Sequence, residues 1–496
     1  MSFNSIQFGI FLLVVFFLYW SLAGPARREL RLNMLLVASY IFYGGWNVRY
    51  LTLIVGISLI NFFAGLAMKK SRREGIRKLT VAAALIASLG ILGLFKYYNF
   101  FTSNLNDLFG VLRLDFRAPV SHLLLPVGIS FYTFQCLSYA VDVYRRRMEA
   151  TSSVRDFCLY VAFFPQLVAG PIVRAEHLLP QFRHDPVYDH DRVMRGLYQV
   201  LCGLFKKVVI ADGLAVTLVD RTFADPATAP LPLAWAAMFA YPILIYCDFS
   251  GYSDVAIGSA RMLGFELRPN FNRPYLAENV RDYWRRWHIS FSTWLRDYVY
   301  VSLGGSRHGP ARLYAALIVT MLVGGLWHGA AWTFIVWGAF HGVWMSLTRA
   351  FEARYGTRSH PGEFKRAIGG GAPEGWAAAD GPPPPRPLWL WTKRLVTLTI
   401  LSFGLLFFRS KDVATAFRFM AELFTGPLSL AGMSVAGLAL MGLGYFLHFT
   451  PVGWRDKLGD VFVRMPFVLQ GASIAFIFAL VSLMKEISSP FIYFQF

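Results

Sequence analysis

The chain has 496 residues, 56% of them hydrophobic, 17% aromatic and only 16% charged, with a formal net charge of +19. An average soluble domain carries roughly 25% charged residues, so a soluble protein of this make-up would have too little polar surface to face water. The composition excludes an ordinary soluble enzyme and indicates an all-α integral membrane protein, because uninterrupted apolar runs satisfy their backbone in lipid only as helices.

The apolar windows come in order along the chain. Ser5 to Gly24 carries no charge, and Leu32 to Val48, Tyr50 to Met68 and Leu79 to Phe95 follow it. Ala227 to Cys247, Leu313 to Thr348, Leu395 to Phe408, Leu423 to Trp454 and Met465 to Met484 come later. Each is judged against the requirement of ~20 apolar residues for a span. With the amphipathic stretches between them, roughly ten to twelve spans are expected, plus re-entrant or interfacial helices. The Leu313–Thr348 run is long enough for two helices and is predicted to break near Gly329. The first window has no Lys or Arg before it and further spans after it, so it is expected to remain as the first helix rather than a cleaved signal.

The positive charge is not spread at random. Arg27, Arg28 and Arg31 form one cluster, Lys69 to Lys78 a second, and Arg145 to Arg147 a third. They fall on alternate loops, as the positive-inside rule requires. This predicts an outside N-terminus (periplasmic in the bacterial setting implied below), a cytoplasmic 25–31 loop, an outer 44–49 turn and a cytoplasmic 69–78 loop. The charge then reports topology and contact with the lipid bilayer, not nucleic acid. The cysteines, Cys136, Cys158, Cys202 and Cys247, form no CxxC pair and sit in apolar surroundings, so they read as buried small hydrophobes with no metal or disulfide framework.

The chain reads as a single membrane domain, 1–496, with one interruption. Residues 351–387 include "GGGAPEGWAAADGPPPPRP", a composition that cannot bury a core and reads as a flexible loop. Its basic flanks place it in the cytoplasm. No internal repeat of the transporter kind is visible.

Polar residues within the apolar regions are the candidates for function. In "YCDFSGYSDVAIGSARMLGF" (Tyr246–Phe265), Asp248 and Asp254 fall on different faces of a helix that Ser250, Gly251 and Ser253 are expected to loosen. Each aspartate either serves a site or pairs with a basic residue of a neighbouring segment. In "RDYWRRWHISFSTWLRDYVY" (Arg281–Tyr300), a single amphipathic helix would put His288 on one face with Trp284, Arg285, Phe291 and Ser292. It is either an interfacial anchor or a polar wall whose Arg285 and Arg286 suit phosphates. Third, Leu313 to Thr348 contains no Lys, Arg, Asp or Glu, yet "GGLWHGAAW" keeps His328 among glycines. An imidazole in apolar surroundings is neutral, hence a proton acceptor, though it could equally bond a neighbouring helix. His341 follows 13 residues later, about 20 Å along one continuous helix. Unless the chain bends sharply at Gly329 the two cannot act together, and His341 reads as structural.

"RDYWRRWHISFSTWLRDYVYVSLGG" and "GLWHGAAWTFIVWGAFHG" resemble the two signature blocks of the membrane-bound O-acyltransferase family. "LPVGISFYTFQCLSYAVDVYR", "FFPQLVAGPIVR", "DFSGYSDVAIGSARMLGFELRPNFNRPY", the N-terminal "FNSIQFGIFLL" and the C-terminal "SSPFIYFQF" are similar to its bacterial alginate O-acetyltransferase branch. The resemblance covers most of the chain except the 351–387 loop. It implies a multi-span helical shell around a central funnel or tunnel. It also implies His328 as the catalytic histidine and His288 as the second implicated one. Trp284, Arg285, Arg286, Trp287, Trp327 and Asp248 then become candidates for binding substrate or donor.

What the resemblance implies chemically is acyl transfer from acetyl-CoA, a donor substrate rather than a resident cofactor, to a hydroxyl, with no metal. His328 would take the hydroxyl proton in a site that excludes water. The acetyl group would pass outward across a bacterial inner membrane to a periplasmic or membrane-tethered acetyltransferase partner. That partner, with a polysaccharide synthesis and export complex, would modify alginate or a similar exopolysaccharide. The absence of a G-x-S-x-G motif gives no sign of a serine nucleophile. Alternatives are another envelope polymer (cellulose, peptidoglycan or teichoic acid), a proton-coupled transporter, or a scaffold for an export complex.

Overall fold

The computed structural model describes residues 1–168, 170–355, 387–451, 453–484 and 491. Among them the ordered elements are helices, with no strand. Among the described residues five helices are long and apolar enough to cross a membrane: Val48–Lys70, Glu74–Val111, Leu231–Met262, Pro310–His328 and Leu388–Arg409. A sixth is reached if Val435–Phe449 and Trp454–Arg464, bent by 94°, count as one span. Ile6–Ser21 and Phe467–Leu483 are apolar but shorter. Some of the expected windows are divided between elements. Leu423 to Trp454, for example, contains the end of one helix (Val413–Thr425), a connection, and the Val435–Phe449 helix.

The apolar run from Leu313 divides where expected. One helix ends at His328 and the next, Trp332–Tyr355, begins after Gly329 to Ala331. The two pack antiparallel, backbone against backbone. A Cβ on Gly325 would meet Phe334 O, one on Gly338 would meet Met321 O, and one on Gly342 would meet Ile318. Residue numbers rise on one helix as they fall on the other, so the break is a hairpin. Only glycine permits this approach. Phe351 to Tyr355 belong to the second helix and are not loop; the remainder of the expected loop, 356–386, lies outside the described residues.

Two sequence expectations about helix continuity are corrected. Leu231–Met262 runs unbroken through Ser250 and Gly251. Gly251 does not loosen the helix; it lets Gly203 O approach from the His190–Phe205 helix, and Gly258 meets Gly196 in the same way. The Arg281–Tyr300 stretch, by contrast, is not one helix. Val280–Arg286 is capped by Asn279, whose side chain accepts the Asp282 N–H at 2.8 Å. The chain then turns at His288, φ 43°, before Ile289–Trp294 and a π-helical turn at Leu295–Tyr300.

The basic loops converge on one end of the helical body. Arg28 and Arg31 pair with Asp185, and Arg155 pairs with Glu29. Lys69 Nζ donates to Ala150 O at 3.4 Å, and Arg77 donates to Val143 O and Tyr144 O at 3.0 and 2.9 Å. Arg145 donates to Asp297 O at 3.1 Å and Ser302 Oγ at 2.9 Å. A separate set of contacts joins the opposite helix ends. Tyr50 OH donates to Leu124 O at 3.0 Å, and Trp332 Nε1 to Asn104 Oδ1 at 2.7 Å.

Candidate active site

His328 is the last residue of its helix and is 3% exposed. Its ring is 5.0 Å from Trp337, 5.2 Å from Phe408 and 5.5 Å from Phe291, centroid to centroid. It lines a cavity of about 10 Å³ with Ile245, Tyr283, Trp287, Trp337 and His341. That is roughly the space one water needs. The chamber is small and largely aromatic.

His341 lines the same chamber. The hairpin overturns the separation expected along a continuous helix: the chain bends after His328, and Trp337 touches both imidazoles, 5.0 Å from His328 and 4.6 Å from His341. His341 Nδ1 accepts a hydrogen bond from Trp284 Nε1 at 3.3 Å. The neutral ring therefore carries its proton on Nε2.

His288 is fully buried, not interfacial. Its ring is 4.6 Å from Phe249, 5.0 Å from Phe291 and 5.7 Å from Trp327. Phe291 and Trp327 are also neighbours of His328. The two histidines of the signature blocks thus share two aromatic partners, although 40 positions separate them in the chain numbering. The left-handed backbone at His288 places the ring there. Asn270 holds the turn, since its Oδ1 accepts from Ser290 Oγ at 2.9 Å and its carbonyl from the Ile289 N–H at 2.9 Å.

A second, larger cavity of about 650 Å³ lies along the first half of the His328 helix, lined there by Leu313, Leu317, Thr320 and Met321. Its polar wall carries Arg281, Arg285, Arg286, Arg296 and Arg349, with Asp282 as the carboxylate among them. Arg286 Nε donates to Asp282 at 3.0 Å, and Arg281 pairs with the buried Glu352. Burial, and Arg281 beside it, push the Arg285 guanidinium below its usual range. An anion in the cavity would relieve that crowding of positive charge. From Met321 to His328 is about 10 Å along the helix. Trp284 lines the large cavity and bonds His341, which lines the small one.

The other residues singled out from the sequence fall in three places. Trp287 belongs to the wall of the small chamber. Trp327 packs 4.2 Å from Phe291 and 5.1 Å from Phe131, between the helix ends, and lines neither cavity described here. Asp248 is 2.6 Å from Lys207 Nζ, which also binds Asp212 at 2.8 Å, away from both cavities. Asp254 takes the adjacent Lys206 at 2.5 Å and Arg455 at 2.7 Å. The two aspartates do face different ways, and each has the basic partner that the structural alternative required. Sequence reasoning missed Lys96, which donates to the carbonyls of Trp327 and His328. Its signal was visible: it is the one charged residue between Lys78 and Asp107.

The arginine-lined cavity and the buried His328 thus stand on one helix of a helical membrane body. The chain belongs to the membrane-bound O-acyltransferase family and is an O-acyltransferase. The family's sequence profile matches residues 145–358, which contain both signature histidines. The chain is 37% identical over 527 aligned residues, the full length of both chains, to a probable alginate O-acetylase, AlgI, of Pseudomonas putida. It is 38% identical to the corresponding Pseudomonas aeruginosa protein, over 90% of this chain and 79% of that one. It is 34% identical to a peptidoglycan O-acetyltransferase of Helicobacter pylori, over 86% of this chain and 80% of that one.

Proposed function

We propose that this protein O-acetylates an exopolysaccharide, alginate or a similar polymer, using acetyl-CoA from the cytoplasm and His328 as general base. The observation that carries the reading is the pair of cavities meeting at Trp284 and His341. The arginine-lined cavity suits the phosphates of the donor, which bind guanidinium groups in a forked geometry. The thioester end would then reach along the His328 helix into the small chamber.

There the chemistry is simple. His328 takes the proton of the acceptor hydroxyl as its oxygen attacks the thioester carbon. The C–S bond breaks, the acetyl ester forms, and the thiolate leaves as free CoA after gaining a proton. The aromatic wall excludes water, which would otherwise hydrolyse the thioester. His288 supports the same site through Phe291 and Trp327, rings it shares with His328.

The orientation follows from the basic end. The large cavity sits beside Asp297 and Ser302, which Arg145 holds to the basic loops. By the positive-inside rule that end faces the cytoplasm, where the donor is made. The N-terminus is then periplasmic, in a bacterial inner membrane. The acetyl group leaves outward to a periplasmic or membrane-tethered acetyltransferase within a polysaccharide synthesis and export complex. The likeness to the Helicobacter pylori enzyme supports a second reading, in which the polymer is peptidoglycan.

The test is transfer of label from acetyl-CoA in membranes of cells lacking the native gene, with alginate and peptidoglycan analysed separately. Label on alginate that requires His328 supports the first reading, and label on peptidoglycan alone supports the second. No transfer to either would overturn both readings of the polymer.

A further inference from the structure

A helix leaves its last four carbonyls without partners inside the helix. At the helix ending in His328 each of the four is accounted for. The Gly329 N–H donates to Gly325 O at 3.3 Å. Tyr97 OH donates to Leu326 O at 2.7 Å. Lys96 Nζ donates to Trp327 O, and to His328 O at 3.1 Å. The same Nζ lies 3.4 Å from Ser130 Oγ. Three acceptors are thus gathered around the one Lys96 amine.

Two features make this more than a packing detail. First, Lys96 lies in the Glu74–Val111 span, where an ammonium is costly and is kept only where it bonds carbonyls or carboxylates. Second, Lys96 and Tyr97 sit in a π-helical turn, Gly93–Tyr97. The extra residue in that turn lets two consecutive side chains reach one helix end. Such turns are frequent at functional sites. The Lys96 amine also points its donors at the negative, carbonyl end of the His328 helix.

We infer that Lys96, assisted by Tyr97, is the positioning residue for His328: together they fix the terminal turn and so aim the imidazole into the chamber. This rests on reading His328 as the working group. Neither Lys96 nor Tyr97 lines the two cavities, and both reach the His328 helix through its main-chain carbonyls.

The experiment is steady-state kinetics of acetyl transfer in membranes for Lys96→Met, Lys96→Arg, Tyr97→Phe and His328→Gln, with protein amount checked by immunoblot. Lys96→Met is expected to lower kcat by about 10²-fold, the cost of displacing a reacting group by ~1 Å, with KM for acetyl-CoA unchanged. Lys96→Arg, which keeps donors for both carbonyls, should recover part of the loss. If Lys96→Met fails to accumulate, Tyr97→Phe carries the test, since it deletes one hydroxyl and should show the same split between kcat and KM. Wild-type kcat in an accumulating Lys96→Met, or in Tyr97→Phe when Lys96→Met does not accumulate, overturns the inference, as does a change confined to KM. An active His328→Gln would instead overturn the reading of the site itself. An inactive His328→Gln beside a fully active Lys96→Met would remove only the role of Lys96.

Discussion

Trp284 donates its indole N–H to His341 Nδ1 at 3.3 Å, and that bond is the seam between the arginine-lined cavity and the chamber of His328. Both rings are buried, at 5% and 2% exposure. On the proposed reading, with acetyl-CoA in the larger space, this seam would keep water from passing between the two. Trp284→Ala would replace the indole by a gap and leave His341 Nδ1 without its donor. The expected outcome is uncoupling: acetyl-CoA is consumed, but free acetate rises relative to polymer ester. Acetate and ester measured together from labelled donor give the ratio. An unchanged ratio would mean that Trp284 does not separate the two spaces.

Arg285 is the second case. It lines the large cavity, where its charge is crowded by Arg281 and by burial. A charge-assisted hydrogen bond to phosphate is worth about 1.5–3 kcal/mol, so Arg285→Ala should raise KM for acetyl-CoA by roughly 10–100-fold. Turnover at saturating donor should change little, because the chemistry lies about 10 Å further along the helix. Initial rates against donor concentration test this. A fall in kcat at constant KM would place Arg285 in the chemistry and not in donor binding.

His288 owes its position to a left-handed backbone, φ 43°. Asparagine tolerates that conformation better than most residues, so His288→Asn keeps the turn while removing the imidazole. Normal accumulation with at least tenfold lower acetyl transfer is expected, at the lower edge of the roughly 10²–10⁴-fold attributed to acid–base groups or just below it. Full activity would reduce His288 to a residue that merely fills the space beside Phe249 and Phe291.

What the sequence made legible follows from the range of each signal. The helical class, the break after His328 and the basic end were readable because apolar length, a Gly-Ala-Ala step and lysine–arginine clusters act locally. The meeting of His328 and His341 was legible only as a condition: the break near Gly329 could be read, but not the sharpness of the bend that folds one helix onto the other. Gly251 was misread for a related reason: a small residue can mark either a loosened helix or a close contact, and only the partner, Gly203, decides which. The turn at His288 carried no Gly or Pro to announce it. Lys96 was passed over because it sits just beyond the window ending at Phe95, and its carbonyl partners lie more than 230 positions away.

The last prediction separates the two histidines of the small chamber. His328 lies at the tip of its helix among Trp337, Phe408 and Phe291, with its main chain held by Lys96. General-base catalysis contributes about 10²–10⁴-fold, so His328→Gln should lose that much or more, because an amide cannot take the hydroxyl proton. His341 differs in that its Nδ1 is already engaged by Trp284. A glutamine there offers a carbonyl oxygen to the same indole, so His341→Gln should retain substantial activity. His341→Ala, which leaves a buried indole N–H without an acceptor, should lose about 1–3 kcal/mol of stability and be the weaker of the two His341 variants. Polymer acetylation in cells lacking the native protein, normalised to membrane abundance, gives the comparison. An active His328→Gln beside an inactive His341→Gln would move the base from one histidine to the other.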